Sequence, residues 1–235
     1  MVNKQGHEAC LEGYWAGRVD CRVCDVARRM PFNAVGADHL GRDLREVGNY
    51  PLPPYTPIAR AGNPATAVFS IREGFVKLWR HDDSGRCRVV RLLRPGDMLG
   101  LEAVLQPTYA LSADTLNSVK LCRIPLETLI RLQEGEPALY REVERRWHSQ
   151  LRRTEHLMVS VATGPSRERV LKLLRYLAEF AAPSPCPRLR RLDMAAMLDI
   201  SSETAARVIA DLKTAGLVVE TATELRFDPE RLALD

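Results

Sequence analysis

Three cysteines near the start of the chain, Cys10, Cys21 and Cys24, stand in a C-x10-C-x2-C pattern, and a fourth, Cys122, lies far downstream. Four thiolates can hold a [4Fe-4S] cluster or a zinc ion. Gly13 and Gly17 give the chain between Cys10 and Cys21 the freedom to wrap such a group. The C-x2-C pair alone is equally consistent with inert or redox-active thiols. Cys87, beside an expected hairpin turn, is the reserve ligand, and Cys186, between Pro185 and Pro187, reads as incidental. His81 is the best axial candidate for a haem, although a single histidine on a polar turn is usually solvated.

A second chemistry lies in Leu192 to Val219, which reads as two helices joined by a tight turn. Asp193 to Leu198 is the first helix, Asp199-Ile200-Ser201 the turn, and Ser201 the N-cap of a second helix reaching about Thr214. Gly216 closes that helix. Ala205, Val208, Ile209 and Leu212 recur at helical spacing and face inward, with Ala195 and Ala196 at the crossing. Ser202, Glu203, Ala206 and Arg207 fall on the opposite face near the N-terminus, the end from which a recognition helix reads bases. An arginine can grip guanine and a carboxylate can accept from cytosine. The bland reading, an ordinary amphipathic helix pair, is less favoured, because the small residues and the polar N-terminal face both suit a DNA groove.

Charge tempers this reading. The chain of 235 residues holds 34 lysines and arginines against 30 acidic residues, net +4. From Gly164 onward the two signs balance. Affinity for DNA must therefore come from local placement of Arg188, Arg190, Arg191, Arg207 and Lys213. No apolar run of about 18 residues is present, which excludes a spanning helix, and the N-terminus lacks the apolar core of a signal peptide. A cytoplasmic location is expected. The cysteines are then read as thiols or ligands rather than structural disulfides.

The elements that must position these groups form four zones: a cysteine-bearing arm (1–35), a roll (36–135), a long helix (136–163) and a DNA-binding domain (164–235). Val68 to Ile71, Phe75 to Trp79 and Arg88 to Leu93 have strand character, separated by Gly- and Asp-rich turns, and predict an antiparallel β-roll. Val143, Trp147, Gln150, Thr154, Leu157 and Val161 alternate by four and three residues, a heptad-like seam that predicts a homodimer through the helix near 137–162. Packing of that helix on its own roll is the alternative. Leu217 to Phe227 reads as a hairpin wing, so the class is α+β.

This order of parts resembles the Crp/Fnr family of bacterial transcription regulators. The resemblance covers nearly the whole chain and rests on IREGFVKLW, LLRPGDMLGLEAV, KLCRIPLETL, the heptad helix and DISSETAARVIADLKTAGLV. It implies a cyclic-nucleotide-binding-like roll, a dimerisation helix, a winged helix-turn-helix and no enzymatic activity. Glu203 and Arg207 match the family's separated Glu and Arg, which implies a TTGA-like half-site with Arg207 on guanine. Ala206 stands where Fnr-type members often have serine, and Ser202 where the cyclic-AMP type has arginine. RNA polymerase is the implied partner at the promoter.

The same resemblance bears on the signal. Cyclic-nucleotide receptors pair the phosphate with an arginine, because a buried phosphodiester must be neutralised. Between Pro95 and Leu121 the only cation is Lys120, although Glu102 follows Gly100-Leu101. Cyclic-nucleotide control is therefore not expected. In Fnr-type oxygen sensors, N-terminal cysteines and a distant one ahead of a short strand and helix ligate a [4Fe-4S] cluster. Cys122 in LCRIP matches the distant position. In the best-known subgroup a third cysteine precedes Pro-Phe, where this chain has Met30 before Pro31-Phe32; a second subgroup instead has a cysteine several residues upstream of the C-x2-C, and Cys10 would play that role with a longer spacer. The implied ligands are Cys10, Cys21, Cys24 and Cys122. The implied response is anaerobic, through a clamp that sets helix pairing and thereby recognition-helix separation. Thr154, neutral at its seam position, predicts a dimer less dependent on that clamp. A regulator without a cluster, responding to zinc, thiol oxidation, haem or another small ligand, is the alternative.

Overall fold

The structure is a computed structural model that describes residues 11–19, 47–182 and 184–232. They fall into two compact units, one from the described residues of 1–78 and 92–151, the other from 79–91 and 152 onward.

Residues 48–125 supply eight strands. In chain order they are β1 (Gly48–Leu52), β2 (Pro57–Ala59), β3 (Ala67–Glu73), β4 (Val76–His81), β5 (Cys87–Leu93), β6 (Met98–Leu99), β7 (Ser112–Thr115) and β8 (Val119–Pro125). They form two four-stranded sheets, ordered β1-β8-β3-β6 and β2-β7-β4-β5. The parts of β4 and β5 within 79–91 belong to the second unit. The expected strand segments lie inside or across β3, β4 and β5. Gly74 makes the turn between β3 and β4 at φ +79°, where a Cβ would sit 2.2 Å from the Ser118 carbonyl oxygen. No other residue fits that turn without moving backbone.

Strand alternation divides the apolar side chains between two clusters. Along β8, Val119 and Leu121 enter an inner cluster with Tyr50, Ile58, Phe69, Ile71 and Leu99. Cys122 and Ile124 point the other way, into an outer cluster with Val68, Met98, Leu129, Leu132, Leu139 and Val143. Leu129 and Leu132 come from α1 (Leu126–Gly135), and Leu139 and Val143 from α2 (Pro137–His156). The outer cluster is thus where helices cover the sheet.

The second unit carries the rest. Leu157–Val161 continue α2 as a π turn, followed by α3 (Ser166–Ala181), α4 (Arg191–Leu198), α5 (Ser202–Thr214), β9 (Val218–Glu220) and β10 (Leu225–Phe227). Val170, Leu173, Leu174, Leu177 and Phe180 make the buried stripe of α3. Ala205, Val208, Ile209 and Leu212 are the buried residues of α5. β9 and β10 pair antiparallel as a two-stranded hairpin. No helix among the described residues is long and apolar enough to cross a membrane.

Two details differ from the sequence reading. Helix α4 starts at Arg191 rather than Asp193, and Met194, Met197 and Leu198 fill its buried side while Ala195 and Ala196 stay half-exposed. The heptad seam is also split. Val143 and Gln150 turn into their own unit, and Gln150 donates from Nε2 to the Met98 carbonyl at 3.1 Å. Tyr140, Trp147 and Leu151 form a separate outward stripe. Neighbouring positions on a helix lie about 100° apart, so one helix can cover its own sheet and still present a second apolar face.

Candidate nucleic-acid interface and thiol site

The α4–α5 pair is built around the turn at Asp199. Asp199 takes a left-handed conformation, φ 53° and ψ 51°, which Asp tolerates better than most residues. Ser201 then caps α5: its hydroxyl oxygen accepts from the Thr204 N–H at 3.1 Å. At the far end Gly216 has φ 67°, and the Leu217 N–H returns to the Leu212 carbonyl at 2.9 Å. Both ends of the second helix therefore close where the sequence placed its cap and its glycine.

Glu203, Ala206 and Arg207 are exposed, and Ser202 is half-exposed. The Ser202 hydroxyl donates to Glu203 Oε1 at 3.1 Å. The Glu203 carboxyl is held below its usual range by its own backbone N–H, then by the Ser201 and Ser202 hydroxyls. It stays an acceptor at neutral pH, at the positive end of a helix. Exposed and capped, this helix end presents one carboxylate and one guanidinium to solvent.

Lys213 sits in the last turn of α5, and its ammonium lies 3.4 Å from Glu220 Oε2. The same carboxylate receives Arg188 at 2.8 Å and Arg191 at 2.7 Å, with its side chain 9% exposed. Burial works to raise the Glu220 pKa, but the hydrogen bonds from Arg188 and Arg191 outweigh it and hold the carboxyl below its usual range. Glu220 was not singled out in the sequence. It lies in a short strand, and its partners come from a loop and two helices, so no local pattern marks it.

Among the thiols, Cys122 is 5% exposed and lies in the outer cluster, where Val47 is buried and Val19 packs alongside. The Val19 N–H donates to the Val47 carbonyl at 3.1 Å, and Asn49 is the register partner of Cys122. Ala16 and Gly17 bond to Asn49, so the arm runs beside β1. Tyr14 packs on the inner cluster while Trp15 stays exposed. Cys10, Cys21 and Cys24 lie outside the described residues. Cys87 is exposed at the start of β5. Cys186 is buried, and that burial pushes its thiol up to about 12, the behaviour of an inert side chain. His81 packs edge-on to Trp79 at 5.2 Å. Among the described residues no group of three or more His, Cys, Asp or Glu converges as a metal site.

In the roll, Glu102 lies in the short helical turn Leu101–Val104 and its Oε1 accepts from the Ala110 N–H at 3.4 Å. Lys120, the one cation between Pro95 and Leu121, is bound to Glu73 at 2.9 Å.

Residues 51–136 match the family model of the cyclic nucleotide-binding domain. The chain is 26% identical over 214 residues to the transcriptional activator protein anr of Pseudomonas aeruginosa, covering 88% of each. It is 25% identical to the transcriptional activator protein FnrA of Stutzerimonas stutzeri, covering 88% of this chain and 87% of that one. An anaerobic regulatory protein of Pasteurella multocida is 22% identical, covering 85% of this chain and 74% of the other. Among solved structures, FixK2 from Bradyrhizobium japonicum shares the fold at a TM-score of 0.68 and 21% identity, covering 79% of this chain and 95% of that one.

Proposed function

We propose that this chain is a transcription regulator of the Crp/Fnr type, a reading its 26% identity to the activator anr supports, and that it binds a palindromic TTGA-type DNA site as a homodimer under control of an oxygen-labile [4Fe-4S] cluster. The observation that carries the DNA reading is the exposed Ser202, Glu203, Ala206 and Arg207 face on a helix capped by Ser201. Arg207 takes guanine and Glu203 takes cytosine, each pairing worth about 1–3 kcal/mol of discrimination. Lys213, bridged to Glu220, contributes at the phosphate backbone together with Arg188 and Arg191. Two such helices must stand about 34 Å apart to enter successive major grooves. The outward stripe of α2, Tyr140, Trp147 and Leu151, supports pairing with a second copy. Bound at a promoter, the dimer acts on RNA polymerase.

The cluster reading rests on the surroundings of Cys122. Its thiol is a soft donor in an apolar pocket, which suits iron–sulfur ligation. Cys21 follows Val19 by two residues, a reach of at most about 7 Å, and Cys24 by five, about 18 Å. Both are therefore within chain reach of the Cys122 cluster that Val19 joins. Cys10 precedes Leu11, whose side chain is buried in the inner cluster. Cys10, Cys21, Cys24 and Cys122 would hold the group. When bound, it supplies an oxygen-sensitive tie between arm and roll. Val19, Val47 and Cys122 then transmit order in the arm to Leu139 and Val143 of α2, which share the same apolar cluster.

Two measurements test this function. Arg207→Ala is expected to lose about tenfold or more in preference for the TTGA duplex while keeping nonspecific binding; an unchanged preference removes Arg207 from base readout. Protein purified without air is expected to be brown with about four irons per chain and to bleach in air. A colourless, iron-free protein after anaerobic reconstitution leaves the DNA reading standing and ends the cluster reading.

A further inference from the structure

The turn that launches the recognition helix is held by side chains from outside the helix pair. Arg88 of β5 forms an ion pair with the Asp199 carboxylate, and Arg86 reaches the same oxygen at 3.5 Å. From α3, Arg169 donates to the Leu198 carbonyl at 2.5 Å and to the Asp199 carbonyl at 3.3 Å. Three arginines thus converge on two residues, immediately before the Ser201 cap.

The hairpin that supplies two of these arginines is itself fixed. Asp82 accepts from the Ser84 hydroxyl at 2.6 Å, from the Arg86 N–H at 3.0 Å and from Arg86 Nε at 3.2 Å. The Ser84 and Arg86 hydrogen bonds press the Asp82 pKa down to about 2, so the tip keeps its charge. Beside the ion pair lies a cavity of about 470 Å³, bordered by Arg80, His81, Arg88, Leu157, Arg169 and Asp199. The polar contact therefore borders open space that Met158, Ala162 and Met197 also line. Exposed ion pairs of this kind add little to folding stability. Their leverage is angular: Asp199 carries the left-handed backbone step from which α5 departs.

We infer that Arg88, aided by Arg86, is a positioning residue for DNA recognition, acting through Asp199 to set the angle at which α5 presents Glu203 and Arg207. The inference rests on the DNA-binding reading above. It names no contact between Arg88 and DNA.

A double-mutant cycle in the full-length protein tests it, using Arg88→Gln, Asp199→Asn and the pair. Asn keeps the tolerance for left-handed backbone that Asp has. Affinity is measured at one salt concentration for the palindromic TTGA duplex and for a scrambled duplex of equal length. Each single variant is expected to lose about tenfold on the palindrome and little on the scrambled duplex, and the double variant to lose no more than either. Independent charges near phosphate give a different result. Arg88→Gln would then weaken, and Asp199→Asn strengthen, binding to both duplexes, which overturns the inference. Wild-type protein with no preference for the palindrome would instead count against the DNA-site reading. In that case amide exchange in the free protein decides: Arg88→Gln should speed exchange across residues 199–205 and leave α3 unchanged. Unchanged exchange at 199–205 overturns the inference, and faster exchange throughout α3 assigns Arg88 a general structural role.

Discussion

Glu220 shows how a single carboxylate can organise the cations of the second unit. Arg188, Arg191 and Lys213 all converge on it, leaving the group positive but ordered. Glu220→Gln removes the charge that three cations share and is expected to cost about 1–2 kcal/mol at pH 7 by urea unfolding. Folding depresses this carboxyl's pKa. Its contribution is therefore complete above the usual glutamate range and is lost as pH falls through the depressed value. The difference between wild type and Glu220→Gln should accordingly shrink below about pH 4; a difference that persists unchanged at lower pH would assign the loss to packing. The contrast with Glu203 and Arg207 explains what was legible at this scale. Those two declare themselves by helical spacing behind a Ser cap, a local pattern. Glu220 and Asp199 act through partners that only the folded chain brings near, and neither position carries a local sign of it.

At the scale of elements, α2 serves two surfaces at once. Its periodicity was readable, but the side that faces the roll was not, because apolar residues occupy two adjacent stripes and the sequence does not order them. Val143 belongs to the outer cluster with Cys122, whereas Leu151 is exposed. The two positions should therefore fail differently. Val143→Ala is expected to destabilise its unit by about 1–3 kcal/mol through the cavity it leaves, with self-association kept. Leu151→Glu is expected to leave unfolding of the dilute protein within about 0.5 kcal/mol of wild type, while shifting sedimentation toward the monomer. If Leu151→Glu sediments as wild type, the outward stripe is not the pairing surface. The strands followed their sequence more closely. Alternation is clear along β4, β3 is buried over five successive residues, and turns such as the one at Gly74 leave little choice of register.

Across the whole molecule, the order roll, long helix and winged helix-turn-helix was legible because each part has its own local period. The path of the arm was not. Ala16 to Val19 run beside Val47 to Asn49 through backbone bonds, which carry no side-chain signature. That pairing brings the arm against the cluster containing Cys122, and from there to the residues of α2 that face the roll. On the proposed function, coupling between arm and dimer would pass through Leu139 and Val143, not through the exposed stripe. The stripe itself holds Tyr140, Trp147 and Leu151, and Thr154 further along the helix adds no charge that would repel a second copy. Loss of the clamp should then loosen the dimer without abolishing it. In sedimentation, cluster-free protein is expected to retain a concentration-dependent dimer population, with weaker DNA binding because the recognition helices are less well spaced. A cluster-free protein that is wholly monomeric at every concentration would show that the apolar stripe is insufficient, and that order in the arm is required for pairing itself.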